Sequence, residues 1–364
     1  MHLTRLQRDQ SIYIMTRDRR GKTIRLIVCV YVDDLIIAYE DQAILDEFRQ
    51  KIRGEIGMKD VGPLKYCLGM HVRQDSQTFS IKVNQSGFVE DLLSRTGFAD
   101  EGVRTRVTPV LQGSKMCKAD CPQTPAEEEE MKQAPYNQYR SIVGSLMYLT
   151  GATRPDIGYA VHRLSRFVQS PGKAHWAALV HLLRYLAGTS TLGVHYCGYC
   201  DQGVILEDER KRGLRRTQDD LPNPALLSES FHNNLVSYAD ADWASDVDTR
   251  KSTTGWVVLL NGGPVAWRSK GQSIVATSTA ESELYSLADC MKQVRAMQLL
   301  LKEFGFPQPQ KIPGRGGATA KPNSVKNRGS IIYEDNQGCT QIVKNDVFAQ
   351  RTKHIPSICS PWSS

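Results

Sequence analysis

Residues 26–40 read LIVCVYVDDLIIAYE, an apolar run broken near its centre by Asp33 and Asp34. Val28, Val30 and Val32 lead in and Leu35, Ile36 and Ile37 lead out, the alternating, branched pattern of two strands. The aspartates fall where the chain must reverse, so one hairpin tip carries both. Aspartate is a favoured turn residue, and a solvated pair at a tip needs no function. Here the strands press two carboxylates together beside Tyr31, which costs free energy unless a cation joins them. A divalent, oxygen-seeking ion such as Mg2+ fits.

Around this hairpin, residues 1–110 mix strands and helices in an α+β pattern. SIYIMTR precedes the hairpin, ILDEFRQKIRGEI follows as a helix, and LKYCLGMHVR with TFSIKVN reads as a further strand pair. A helix, SGFVEDLLSRTG, then starts with Ser86 as its expected cap.

The 364 residues are enough for two or more domains, and 40% hydrophobic with 23% charged residues is a globular composition. A net charge of +7 suits a polyanionic partner but does not demand one. Nine scattered cysteines form no dense framework, which favours a reducing compartment. Cys197 and Cys200 lack a second pair at zinc spacing. No stretch is long and apolar enough for a membrane span or signal core, so the expectation is a soluble intracellular protein.

Residues 111–200 open with a Pro-containing connector, 111–134, whose acidic run Glu127 to Glu130 reads as a solvated face. Three helical stretches follow: YNQYRSIVGSLMYLTG, DIGYAVHRLSRFVQS and KAHWAALVHLLRYLAG. Ile157, Val161, Leu164 and Val168 make one apolar stripe, with His162, Arg163 and Arg166 off it. From spacing alone, the recurring basic and aromatic residues (Arg154, Arg163, Arg166, Trp176, Arg184) read as helices with a solvated basic face. Residues 201–234 read as a polar linker and 307–330 as a looped insert within a domain at 235–356.

From residue 235 the strand-like LVSYADADWASD and GWVVLLNGGPVAWRS precede a long helix, TAESELYSLADCMKQVRAMQLLLKEFGF, and SIIYEDNQ follows it. Asp240 and Asp335 both fall at ends of apolar runs, where a sheet can present them to one cleft; Asp242 and Asp246 are less well placed. On the helix, Glu281 and Glu283 compete, being two residues apart and therefore on different faces. Taken singly, each acid is more often a surface residue than a ligand.

Tyr31-Val32-Asp33-Asp34 between apolar strands resembles the catalytic hairpin of reverse transcriptases, and MKDVGPLKYCLGMHV, YRSIVGSLMYLTGATRPDIGYAVHRLSRF, DTRKSTTGW and EDNQ extend the likeness. Together they resemble the reverse transcriptase and ribonuclease H region of copia-type retrotransposon Pol polyproteins. The resemblance implies a partial palm with a helical thumb and connection, then an RNase H-like domain with a mixed sheet. It implies Mg2+ at Asp33 and Asp34 for polymerisation and at Asp240, Glu283 and Asp335 for hydrolysis, with Glu283 preferred because SELYSL matches the family pattern.

It also implies primer-end support by Lys65, Tyr66 and Gly69, and contacts from Arg154, Arg163 and Arg166 to template and primer phosphates. The implied partners are an RNA–DNA hybrid, a primed template and other parts of the polyprotein, in a cytoplasmic virus-like particle or the nucleus. The family's third palm aspartate has no counterpart in strand context, since Asp9 and Asp18 lie in polar stretches. The family segment after QRTKHI, with its final metal-binding acid, is replaced by IPSICSPWSS. Primer extension by this chain alone is therefore not expected.

Overall fold

The computed structural model describes residues 2–55, 57–100, 102–111, 113–197, 234–308, 330–336 and 339. Nearly all of the expected linker at 201–234, most of the 307–330 insert, QRTKHI and the tail lie outside the described residues. The described chain is α+β, with three four-stranded sheets.

The first sheet runs β1 (Thr4–Arg5), β2 (Ile12–Arg19), β3 (Lys22–Tyr31) and β4 (Asp34–Tyr39), each antiparallel to its predecessor. Period-two alternation sends Ile24, Leu26 and Val28 to one face, where Ile44, Leu45 and Phe48 of α1 (Gln42–Glu55) cover them. Tyr31 pairs Asp34, leaving Val32 and Asp33 as a two-residue turn.

The second sheet, β5 (Tyr66–Cys67), β6 (Met70–Gln74), β7 (Ile81–Asn84) and β8 (Gly193–Tyr196), encloses a helical insertion in sequence. Helices α2 (Ser86–Thr96), α3 (Pro125–Met131), α4 (Tyr139–Ala152), α5 (Gly158–Ser165) and α6 (Lys173–Ala187) lie between β7 and β8. Leu92, Leu146, Leu164, Leu182 and Leu183 share one core from α2, α4, α5 and α6. That core and the β7–β8 pairing both cross residue 110, so the helices and the preceding sheet are one packed unit.

One local expectation changes. Ser86 is the first helical residue rather than the cap; Gln85 occupies the cap position without a side-chain bond, and Asn84 Oδ1 accepts the Ser86 N–H at 3.1 Å. The acidic run, exposed at Glu127 to Glu129 as expected, forms the short helix α3 within the connector, where Thr124 and Glu127 satisfy each other's backbone N–H groups and Glu130 pairs with Lys173 at 2.8 Å.

The third sheet is ordered β11-β10-β9-β12, from β9 (Leu235–Asp242), β10 (Thr253–Leu260), β11 (Gly263–Gly271) and β12 (Ile331–Tyr333). Only β12 is parallel to its neighbour, pairing with the central β9. Helix α7 (Thr279–Glu303) covers one face because Leu284, Leu287, Cys290 and Val294 recur at helical spacing against Leu235, Ala239, Trp256 and Val258. Each buried Leu or Val among them stabilises the fold by about 1.5–3 kcal/mol.

Polar contacts seat this sheet on the helical unit. Trp267 Nε1 donates to the Thr150 carbonyl at 2.6 Å, Tyr159 donates to Asp242 at 3.3 Å, and Arg166 pairs with Asp246 at 2.7 Å. The first sheet reaches the far end of α7, where Arg25 donates to the Gly305 carbonyl at 3.1 Å and lies over the Phe306 ring. Trp256 is a core residue as expected, whereas Trp267 is a joint.

Candidate metal centre

Asp240 lies near the end of β9, opposite Gly255 of β10. Asp335 follows β12 by two residues, and the parallel β12–β9 register carries it toward the same end of the sheet. Glu283 comes from the first turns of α7. Ligand oxygens of Asp240, Glu283 and Asp335 all lie within 4.8 Å of one another, the single such three-group cluster among the described residues. The two aspartates are exposed and the glutamate is 6% exposed.

The helix is held at this height by hydrogen bonds to the strands beneath it. Ser286, fully buried one turn after Glu283, places Oγ 2.7 Å from the Asp240 carbonyl and 3.0 Å from that of Gly255. Gln272 Nε2 donates to the Ser282 carbonyl at 2.9 Å and to Thr254 at 3.1 Å.

Glu281 is spent elsewhere. Its carboxylate accepts the Thr277 N–H and hydroxyl, both at 2.7 Å, and its own N–H bonds to the Ser278 cap. The Ser278-x-x-Glu281 spacing is a helix-start signature legible in the sequence, and it separates the two glutamates that face parity left open.

The electrostatics of the cluster are those of ligands without a counter-charge. Burial, then the carboxylates of Glu334, Asp240 and Asp335, push the Glu283 carboxyl up to about 8. Burial also pushes Glu334 up to about 7. Oε2 of Glu283 is enclosed and has no hydrogen-bond partner. An enclosed, unpaired carboxylate oxygen among other carboxylates is costly unless a proton or a cation meets it. An all-oxygen donor set of this kind suits Mg2+ or Mn2+.

At the hairpin tip, Asp33 and Asp34 are exposed, and no third His, Cys, Asp or Glu joins them in a cluster among the described residues. Val32 sits in the turn with φ +50° and is 83% exposed. A β-branched residue in the left-handed region is strained, and such strain concentrates at functional turns. Cys67 is pushed above the usual thiol range mainly by burial and next by Asp34, which puts the β5–β6 hairpin beside the tip.

Lys65 and Tyr66 are exposed on that hairpin, and Gly69 forms its turn with Leu68. Both turn residues have positive φ, +50° and +76°, as a tight two-residue reversal with matched twist requires. Tyr148 of α4 donates to the Leu68 carbonyl at 2.9 Å, and a Cβ on Gly69 would stand 2.8 Å from that hydroxyl.

The three arginines expected at phosphates have partners within the chain. Arg154 is 1% exposed, bonded to Asp156 at 2.8 Å and to the carbonyl and hydroxyl of Thr189. Arg163 is 7% exposed and donates to the Tyr159 hydroxyl at 3.0 Å. Arg166 is committed to Asp246 and Asp248. These side chains hold the helical unit together and to the third sheet. Basic type and spacing cannot reveal such partners, which lie up to about 80 residues away in sequence.

Comparison with known proteins agrees with the hairpin. Residues 2–112 match the family described as reverse transcriptase (RNA-dependent DNA polymerase). The chain belongs to the copia-type retrotransposon Pol polyproteins, as its long relatives make plain. It is 31% identical over 330 residues to the retrovirus-related Pol polyprotein from transposon TNT 1-94 of Nicotiana tabacum, covering 91% of this chain and 21% of that protein. It is 32% identical over 347 residues to that from transposon RE2 of Arabidopsis thaliana, covering 95% and 19%. The chain thus spans about a fifth of the length of these curated relatives. It is also 38% identical over 163 residues to the secreted RxLR effector protein 161 of Plasmopara viticola, 45% of this chain and 91% of that protein. No solved structure matches. No helix among the described residues is long and apolar enough to cross a membrane.

Proposed function

We propose that this Pol segment carries a ribonuclease H-type centre that hydrolyses the RNA strand of RNA–DNA hybrids with Mg2+. The observation that carries the reading is the convergence of Asp240, Glu283 and Asp335 from a strand, a helix and a second strand. The buried, unpartnered oxygen of Glu283 supports a cation as the missing partner. The mixed sheet, with β12 parallel to the central β9 and α7 across one face, is the layout expected of an RNase H-like domain.

Asp240, Glu283 and Asp335 would hold the cation. When bound, Mg2+ lowers the pKa of a coordinated water and offsets charge on the leaving 3′ oxygen. The exposed aspartates face solvent, where a phosphodiester can approach, while burial fixes Glu283 in one geometry. Ser286 and Gln272 supply the rigidity that keeps the helix-borne ligand in register with the strand-borne one.

The hairpin is the counterpart of a polymerase palm, with Asp33 and Asp34 as two of its metal ligands and the exposed Lys65 and Tyr66 near the primer end. Two exposed carboxylates hold a pair of ions less firmly than three, so primer extension by this chain is expected to be absent. A purely non-catalytic nucleic-acid binder is less well supported, because Arg154, Arg163 and Arg166 are bound to protein groups.

The test is incubation of the purified chain with an RNA–DNA hybrid and Mg2+, and separately with a primed template and nucleotides. Hybrid cleavage that requires Mg2+ and Asp240 supports the reading; extension of the primer would overturn the claim for the hairpin.

A further inference from the structure

Trp243 stands one residue beyond the end of β9, three after Asp240, and is 44% exposed. Its indole is nevertheless fixed. Nε1 donates to the Ala276 carbonyl at 3.2 Å, so the polar edge of the ring is satisfied within the protein and what it offers to solvent is apolar. Ala276 precedes Thr277, which holds the Glu281 carboxylate at the start of α7. The ring therefore ties the strand that carries Asp240 to the segment leading into the helix that carries Glu283. Val275, beside the accepting carbonyl, is 52% exposed and adds a second apolar side chain there.

The loop that follows Trp243 is closed on itself. The Ala244 N–H donates to Ser252 Oγ at 3.0 Å, and the Asp246 N–H donates to the Lys251 carbonyl at 3.1 Å. Arg250 is exposed on this loop, and its side chain makes no hydrogen bond or ion pair among the described residues. An aromatic face and an unpaired guanidinium thus flank one closed loop that begins three residues after Asp240. Aromatic faces pack on nucleic acids without reading their sequence, and arginine neutralises phosphate.

We propose that Trp243 and Arg250 form a substrate ledge, the Trp243 ring packing on a sugar of the RNA–DNA hybrid beside the carboxylate cluster and Arg250 contacting a phosphate of the same strand. This rests on the reading of Asp240, Glu283 and Asp335 as the hydrolytic centre. A ring already immobilised by its N–H bond loses little conformational entropy on contact, so it positions the strand at small cost.

Binding of a fluorescein-labelled RNA–DNA hybrid to the full chain, followed by anisotropy in chelator where the strand stays intact, tests this, with folding of each variant checked by its unfolding transition. Trp243→Ala should weaken binding about tenfold with no change in salt dependence. Trp243→Phe, which keeps a ring but loses the N–H bond, should recover most of that affinity. Arg250→Gln should reduce the slope of log affinity against log salt by about one. Equal losses for Trp243→Ala and Trp243→Phe would mean that only the bond to Ala276 matters and would overturn the ledge. So would Trp243→Ala binding as tightly as the unaltered chain, or an unchanged slope for Arg250→Gln. The two readings separate when Mg2+ is added. Cleavage that requires Asp240 while binding ignores Trp243 leaves the centre and refutes the ledge; ring-dependent binding without any cleavage leaves the ring's contact with the hybrid and refutes the centre.

Discussion

Arg166 Nη2 lies 2.7 Å from the Asp246 carboxylate, joining the end of α5 to the loop that follows the strand bearing Asp240. Asp246 also accepts the Asp248 N–H at 3.0 Å and the Thr249 hydroxyl, so the same carboxylate shapes its loop and ties it to the helices. A double-mutant cycle with Arg166→Met and Asp246→Asn should give a coupling of about 1 kcal/mol in denaturant unfolding. A coupling near zero would mean that the two units are not joined there.

Arg154 should behave as a structural residue. Arg154→Met removes a buried cation and leaves Asp156 and Thr189 with unmet bonds, so unfolding free energy should drop by about 3 kcal/mol. The salt dependence of hybrid binding should keep the same slope, since no phosphate contact is lost. A shallower slope with unchanged stability would restore the phosphate role.

Val32 should be replaceable to advantage for stability. Glycine tolerates φ +50° without steric cost, so Val32→Gly should stabilise the hairpin by about 0.5–1 kcal/mol, part of the relief being offset by chain entropy. Chemical denaturation of the two chains checks this, and a loss of stability would show that Val32 is not strained.

His175 supplies a pH dependence. It is fully buried, stacked on Phe167 at 3.9 Å, and its Nδ1 accepts the Gly172 N–H at 2.9 Å, so burial holds its pKa below the usual histidine value. The unfolded chain takes up this proton near pH 6.5 and the folded chain only at lower pH. Across that window the unfolded state binds more protons, so stability falls as pH drops below about 6.5, by roughly 1 kcal/mol per unit at most. The slope measured for His175→Asn should be shallower than that of the unaltered chain; equal slopes would exclude His175 as the cause.

Much of this was legible because local patterns carried it. The LIVCVYVDDLIIAYE hairpin, the apolar stripes of the helices and the strand-end positions of Asp240 and Asp335 all follow from periodicity and turn chemistry. Glu283 over Glu281 was decidable from the capping spacing at Ser278. What stayed hidden depends on distant partners: Arg154 on Thr189, Arg166 on Asp246, and β8 on β7, whose pairing joins residues more than 100 apart.

Asp240, Glu283 and Asp335 stand at the heart of the proposed chemistry as one catalytic cation centre. Its most direct measurement is Mg2+-dependent cleavage of an RNA–DNA hybrid by the full chain beside Asp240→Asn, with folding of both verified by unfolding transitions. Cleavage of the RNA strand should fall by about 100-fold or more in the variant. No cleavage by the well-folded unaltered chain, or cleavage equal in the two, would contradict it.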